Sequence, residues 1–489
     1  MNSKSRRIIS LPLTLLALAL AGCGGDEASD GGPTGASSSG GGSTAPDASS
    51  GSTTGGNPGS GGSPSGEGAG TASSSTGEDP GSGGAGTGGS GAVGSGTGGA
   101  GTGGAGTGGS GLEEPTAGTE ARPQLTAAQA AHHTVLKHLE KAGDLASGLV
   151  TDAWDPTAGA GDVGGFTPTY TVAASGGTHR TVQSAIDAAV ASGGARRVYI
   201  EVASGAYREV VCVPSSAPPI TLYSKSSDAS RTVIAYNNYN GKTKETGKPA
   251  NPCNPNLSGT TYGTSGSATF AAYADDFQVK NLTIANDTDE RAVSGGKQAV
   301  ALMTQADRLI FENVRLLGNQ DTLYVKTPNA GTVSRAYFKG CHVEGDVDFI
   351  FGRGTFVLDG CTIRYLTARQ GATGGYIVAP STDARNAHGI LIINSDLTAE
   401  AGTPGGLVHL GRAWDEGQND LATYATSVAS GAYPNGHAIL RSSTLGPHIR
   451  ALDPWHASTI SRPYSSTAGM YPANRLHEHA NTGPGSARP

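Results

Sequence analysis

Six short segments of this chain share one pattern, and that pattern limits the fold more than any other feature. They are VKNLTI (279–284), FENVRL (311–316), FKGCHV (338–343), LDGCTI (358–363), IINSDL (392–397) and LRSSTL (440–445). Each carries an apolar residue, a spacer, then Asn, Gly or Ser, and an alternating pair ending in Ile, Leu or Val. The small residues fall at 281, 313, 340, 360, 394 and 442, in irregular steps never shorter than 20. Short strands, turn residues at recurring places and a minimum step near 20 suit a solenoid, specifically an all-β parallel β-helix with loops of varying length. A β-sandwich is the competing architecture.

Two stretches before the repeats read as helical. TVQSAIDAAVAS (181–192) places Val182, Ile186, Ala189 and Val190 on one face and stops at Gly193-Gly194, so it is expected to cap the open end of the coil. LTAAQAAHHTVLKHLEKAG (125–143) reads as a single helix capped by Thr126 and ended by Gly143.

The first quarter of the chain has a different composition. Lys4, Arg6 and Arg7 precede an apolar run, Leu11 to Ala21, too short to span a bilayer. The run ends in LAGC, which looks like a bacterial lipobox and implies cleavage before Cys23 and lipid on its sulfur; an ordinary signal peptide is the alternative. Residues 24–118 are Gly, Ser, Thr and Ala with scattered acids, too poor in large apolar side chains to offset the entropy of ordering. As a flexible coil they would span on the order of 50–60 Å. The expected organisation is a signal peptide (1–22), a lipidated cysteine and linker (23–121), a helical or irregular lead-in (122–165), a β-helix domain (166–475) and a polar tail (476–489). The expected location is the cell envelope, at the outer membrane or cell surface, with membrane contact only through the lipid.

Net charge is −7, and removal of the three leader cations makes the exported chain more acidic. With no basic cluster carrying interleaved aromatics, nucleic acid is a poor partner. A few arginines in a cleft could still hold an acidic polymer. With Cys23 set aside, four of the five cysteines remain, an even number in an exported chain. Cys341 and Cys361 follow the turn position in consecutive repeats, so stacking would bring them together. The expected disulfides are Cys341–Cys361 and Cys212–Cys253. Zinc is a weak alternative, since no CxxC or paired histidine has ligand spacing.

Two acids stand in unusual company: Asp321 in GNQDTLY (318–324) and Asp348 in GDVDFIFG (345–352). On neighbouring repeats they could become adjacent, and two close carboxylates divide their roles, one charged and one protonated. Turn capping is the plain alternative for each. Gln298 in KQAVAL and Gln320 beside Asp321 are neutral donors suited to an oxyanion. Arg412 and Trp414 in LGRAW offer a fixed cation and a flat surface for a sugar ring. Alternation along the strand sets Asp348 and Phe351 on opposite sides, unless the chain bends approaching Gly352.

GAYREVV (205–211), QAVAL, GNQDTLY, DFIFG and LGRAW occur in the order found in pectin methylesterases. Over roughly 170–471 the chain resembles that family of carbohydrate esterases, most closely its Gram-negative lipoprotein branch. The resemblance implies a right-handed parallel β-helix, a monomer, and hydrolysis of C6 methyl esters of homogalacturonan without a cofactor or metal. It implies Asp348 as nucleophile, Asp321 as general acid and base, Gln298 and Gln320 as the oxyanion hole, and Arg412 as the residue orienting the nucleophile. Trp414, Tyr324 and Phe351 match walls of a cleft for methyl-esterified pectin or oligogalacturonides. Ala413 stands where a proline is usual and Asn319 where a bulkier residue is, and the loop 325–335 is expected to reshape the cleft rim. Competing readings are a catalytically altered β-helix lipoprotein that binds polysaccharide or cleaves another ester or thioester, a metal-dependent pectate lyase, and a purely structural coil.

Overall fold

The computed structural model describes residues 120–247, 251–253, 259–369 and 373–487. Cys23, the signal segment and nearly all of the linker lie outside the described residues. The chain winds into a right-handed parallel β-helix with three long sheets. Sheet 1 has ten strands, from Tyr170–Val172 to Arg475–His479; sheet 2 has eight, from Gly205–Arg208 to Thr444–Leu445; sheet 3 has eight, from Val211–Val213 to Trp455–His456. One coil runs through Arg335–Lys339, His342–Gly345 and Ile350–Gly352, and the next through Thr355–Asp359, Thr362–Tyr365 and Tyr376–Pro380.

The repeat read from the sequence is the corner between sheets 1 and 2. Asn281, Asn313, Gly340, Gly360, Asn394 and Ser442 all adopt positive φ, between 51° and 62°. Glycine enters this left-handed region without steric cost, and asparagine more readily than most residues, which explains the recurring types. The asparagines also tie coils together: Asn313 Nδ2 donates to Asn281 Oδ1 at 2.8 Å, and Asn281 Nδ2 donates to Ser224 O at 3.1 Å. Inside the coil, Leu222, Val279, Phe311, Phe338, Leu358 and Ile392 stand in one in-register row, each fully buried. Phe311 and Phe338 stack at 4.7 Å. Burial of each such side chain contributes about 1.5–3 kcal/mol. The helix Val182–Ser192, N-capped by Thr181, buries Val182, Ala185, Ile186 and Ala189 against the first coil.

The lead-in departs from the expected single helix. It forms two short helices, Ala127–Ala130 and Val135–Leu139, and then a hairpin of Lys141–Asp144 with Gly148–Thr151. Thr134 causes the break: its hydroxyl accepts the Lys137 N–H at 3.3 Å and starts a second helix. The lead-in then runs back along the stack. Arg122 pairs with Glu478 at 2.7 and 2.8 Å, Arg441 donates to Ala130 O and His133 O, and His138 Nε2 donates to Gly389 O at 3.0 Å. Arg335 donates to Leu139 O and to Asp152, the hairpin pairs with Thr332–Val333, and Ala160 N–H donates to Glu312. Leu125, Ala130 and Leu139 seal against Tyr337, Val357, Leu391 and Ile439 on the outer face of sheet 1.

Two further expectations are corrected. Residues 476–479 are not tail: Arg475–His479 is the last strand of sheet 1, paired with His437–Arg441, and Leu476 and Glu478 are fully buried. Cys341 and Cys361 do stack in consecutive coils, but both are free thiols. Cys341 Sγ donates to Phe311 O at 3.3 Å and Cys361 Sγ to Phe338 O at 3.4 Å, while Cys361 Sγ accepts the Cys341 N–H. Each thiol thus donates to a carbonyl of the preceding coil, and no sulfur–sulfur bond joins the two. Burial pushes the Cys361 thiol well above its ordinary pKa. Cys212–Cys253 is formed, with 5.4 Å between Cα atoms.

Candidate active site

The candidate residues gather on the outer face of sheet 3, along consecutive coils. Strand Leu323–Val325 pairs with Ile350–Gly352 so that Leu323 faces Ile350 and Tyr324 faces Phe351. The same offset sets Asp321 opposite Asp348, and Asp321 N–H donates to Val347 O at 3.2 Å. Both acids adopt positive φ, 68° and 49°, a conformation that costs a non-glycine residue on the order of 1 kcal/mol or more. Asp321 is 6 % and Asp348 5 % exposed. The positive φ resolves the alternation problem. The bend falls at Asp348 itself, so Phe349 and Ile350 both enter the interior while Phe351 turns outward.

Arg412 ends strand His409–Arg412, two coils beyond Asp348, and reaches back across the intervening strand Tyr376–Pro380. Its Nε and Nη2 bond Asp348 Oδ1 and Oδ2 at 3.0 and 2.5 Å, a two-point clamp. The guanidinium lies 4.3 Å from the centre of the Tyr376 ring, which supports it from below. Glycine at 411 permits the approach, because a Cβ there would stand 2.3 Å from Val378 O. The clamp forms with Ala413 in place of proline.

Gln298 and Gln320 flank the acids on the N-terminal side. Ala299 N–H donates to Gln320 O at 3.1 Å, which ties the two segments together. Gln298 Oε1 is buried without a hydrogen-bond partner among the described residues. Behind Gln320 lies a charged group that the sequence reading missed. Glu290 Oε1 accepts the Gln320 N–H at 3.0 Å, and Arg369 binds fully buried Asp346 at 2.6 and 2.5 Å. Arg369 Nε also lies 3.3 Å from Glu290 Oε2, an ion-pair distance without hydrogen-bond alignment. Burial raises Glu290 to about 8, against the pull of Arg369 and with Asp346 adding to the rise, so Glu290 keeps its proton at neutral pH. Only Asp346, two residues before Asp348, lay in a motif that sequence could have flagged.

Tyr324 and Phe351 stack at 4.2 Å, and Trp414 leans on them at 5.9 and 5.6 Å. Tyr324 and Phe351 are each only 3 % exposed, so Trp414, half-buried, is the ring that shows a face to solvent. Next to Tyr324 a groove is lined by Lys326, Thr327, Pro328, Asn329, Arg353 and Glu416, so the loop expected at the rim does form part of it.

A profile of the pectinesterase family matches residues 169–437. This chain belongs to the pectinesterase family. It is 48 % identical to a pectinesterase of Ralstonia solanacearum over 371 residues, 75 % of this chain and 92 % of the relative. Among solved structures, rice weevil pectin methyl esterase is 31 % identical with a TM-score of 0.62, over 76 % of this chain and 99 % of that one. A pectin methylesterase in complex with a hexasaccharide is 27 % identical with a TM-score of 0.53, over 66 % of this chain and 92 % of that one. As a pectinesterase, the chain is a carboxylic ester hydrolase on a β-helix scaffold.

Proposed function

We propose that this pectinesterase demethylates homogalacturonan through an acyl intermediate on Asp348. The observation that carries the reading is the pairing of Asp321 and Asp348 at equivalent bends of consecutive coils, with Arg412 clamped on Asp348 through two bonds. A carboxylate oxygen of Asp348, oriented by Arg412, attacks the C6 carbonyl carbon of a methylated galacturonate. The carbonyl oxygen becomes an oxyanion, received by the side-chain amides of Gln298 and Gln320. Asp321, protonated, gives its proton to the departing methoxide, so methanol leaves and an anhydride remains. Asp321, now a carboxylate, takes a proton from water as the water attacks that anhydride. The product acid leaves and gives its proton to solvent, which makes it galacturonate; Asp348 is regenerated as the carboxylate, and Asp321 is again protonated. Trp414 would seat a sugar ring, backed by Tyr324 and Phe351. The hexasaccharide bound by a related pectin methylesterase supports an oligomeric or polymeric substrate.

The test is methanol release from highly methylated pectin by the mature chain and by Asp348→Asn. Release by the wild type and none by the folded variant is the expected result; equal release from both would move the nucleophile elsewhere. The leader and LAGC motif support tethering through lipid on Cys23. Cys23→Ser should shift the protein from the membrane fraction to the soluble one, and a protein that stays with the membrane would refute the tether.

A further inference from the structure

A second cluster of chemistry-bearing side chains lies on the opposite side of the molecule, where the lead-in crosses sheet 1. His133 from the lead-in, His388 before strand Ile390–Ile393, and His437 at the start of strand His437–Arg441 bring ring nitrogens within 4.8 Å of one another. The ring centres lie 5.4 Å apart for His133 and His388, 5.6 Å for His133 and His437, and 6.1 Å for His388 and His437. A fourth imidazole, His138, has its ring centre 4.6 Å from that of His388. The four come from three places far apart in sequence, so the ligand-spacing argument against zinc could not see them.

We propose that His133, His388 and His437 form a binding site for a borderline transition-metal dication of the Zn²⁺, Ni²⁺ or Cu²⁺ class, one that fastens the lead-in to the coil.

Hydrogen bonding supplies the first support. Nδ1 of His133, His138 and His388 is buried in each case with no partner among the described residues. Buried polar atoms in folded proteins are normally satisfied, and two of the three proposed ligands, His133 and His388, carry such an orphaned nitrogen. Ligand nitrogens about 2.0–2.1 Å from one ion stand roughly 3.4 Å apart in a tetrahedron, so the present spread closes with about 1 Å of side-chain movement.

Two features limit the site and define the ion. Arg475 and Arg441 lie close enough to act on these rings, and neutral imidazoles do not cancel a dication's charge. Glu140 is the acid that acts on His388. A hard ion such as Mg²⁺ or Ca²⁺, which needs several oxygen ligands, is therefore disfavoured, and imidazole-seeking ions are favoured. His437 is the costliest ligand, because its Nδ1 accepts the Gly389 N–H at 3.1 Å and either ring nitrogen can bind an ion only when that hydrogen bond is given up. His437→Ala should therefore weaken binding less than His388→Ala does.

The experiment uses the mature chain without a polyhistidine tag, stripped with a chelator and titrated calorimetrically with ZnCl₂ and NiCl₂. The expected result is about one ion per chain, with Tm raised by roughly 2–4 °C at saturating metal. His388→Ala and His133→Gln should each weaken binding at least tenfold, while His448→Gln, a buried histidine outside the cluster, should not. His133→Gln, on the half-buried lead-in, keeps the test sound if His388→Ala misfolds. Co²⁺ loading should give the visible absorption of a tetrahedral nitrogen site in the wild type and lose it in His133→Gln. No saturable binding, or binding unchanged in both cluster variants, would overturn the site.

Discussion

The outer faces of sheets 1 and 3 begin from the same kind of strand and are put to opposite uses. On sheet 1, Tyr337, Val357, Leu391 and Ile439 point outward and are apolar, and the lead-in covers them. On sheet 3 the outward positions hold two carboxylates, a guanidinium, two amides and a half-open tryptophan. The arginines sharpen the contrast. Arg335, fully buried, is shared by Asp152 and Asp307, whereas the Arg412 side chain keeps 20 % exposure and clamps Asp348 through two bonds. An arginine sealed between two carboxylates fastens elements together. One that clamps a carboxylate at the edge of solvent steadies that acid while leaving it open to a substrate.

Substitutions should separate the two uses, beginning with the largest effect. Asp348→Asn should lower kcat for methanol release by roughly 10⁴-fold or more, with Tm nearly unchanged. A variant that instead lost stability would make Asp348 a structural acid and erase the contrast. Arg335→Met should do the reverse, removing about 2–3 kcal/mol in urea titrations, because it deletes a buried guanidinium that bonds Asp152, Asp307 and Leu139 O. Turnover per folded molecule should stay near wild type; a large fall in kcat would mean that the two faces are coupled.

A smaller effect should come from sheet 2, through His448. Burial holds this ring down to about 4, against 6.5 for an exposed histidine. The unfolded chain therefore takes up the proton first, so stability present above about 6.5 is lost as pH falls toward 4. Other buried histidines contribute in the same window, so thermal melts across that range should show the decline and His448→Leu should make it shallower by one histidine's share, without moving the pH profile of turnover. The smallest effect concerns the thiols. Denaturation with an alkylating agent and no reductant should label Cys341 and Cys361 but not Cys212 or Cys253, as read by peptide mass spectrometry. Protection of Cys341 and Cys361 would restore the expected bridge.

The coil was legible because its signal is local and repeated. An Asn, Gly or Ser at each left-handed corner is a requirement of a single residue, and it recurs where the backbone needs it. The acids were legible for a related reason: Asp321 and Asp348 occupy the same place in adjacent coils, so their sequence offset is the coil length. What stayed hidden depends on side-chain direction or on distant partners. Cysteines one coil apart look bridgeable until the hydrogen bond of each thiol is known. Thr134 ends one helix and starts another, yet nothing nearby in sequence says that Arg441 and Gly389 will receive the two halves. Glu290 reaches Gln320 from 30 residues away, and Arg369 comes from the far side of Asp348. Strand Arg475–His479 was missed because its corner, at φ 51°, is held by Ala480 instead of Asn, Gly or Ser.

The course of the lead-in changes how the molecule should come apart. A stack whose layers touch only their neighbours can fray from either end, one layer at a time. Here the first described residues are bound to the last layer through Arg122 and Glu478, and the same segment then touches later, middle and early layers before the winding begins. Loss of the final layer would release Arg122, and release of the lead-in would expose one side of every layer it crosses. That lengthwise fastening should turn gradual fraying into a single sharp transition. It also delays completion of the native state during synthesis, since residue 122 finds its partner only after residue 478 has been made.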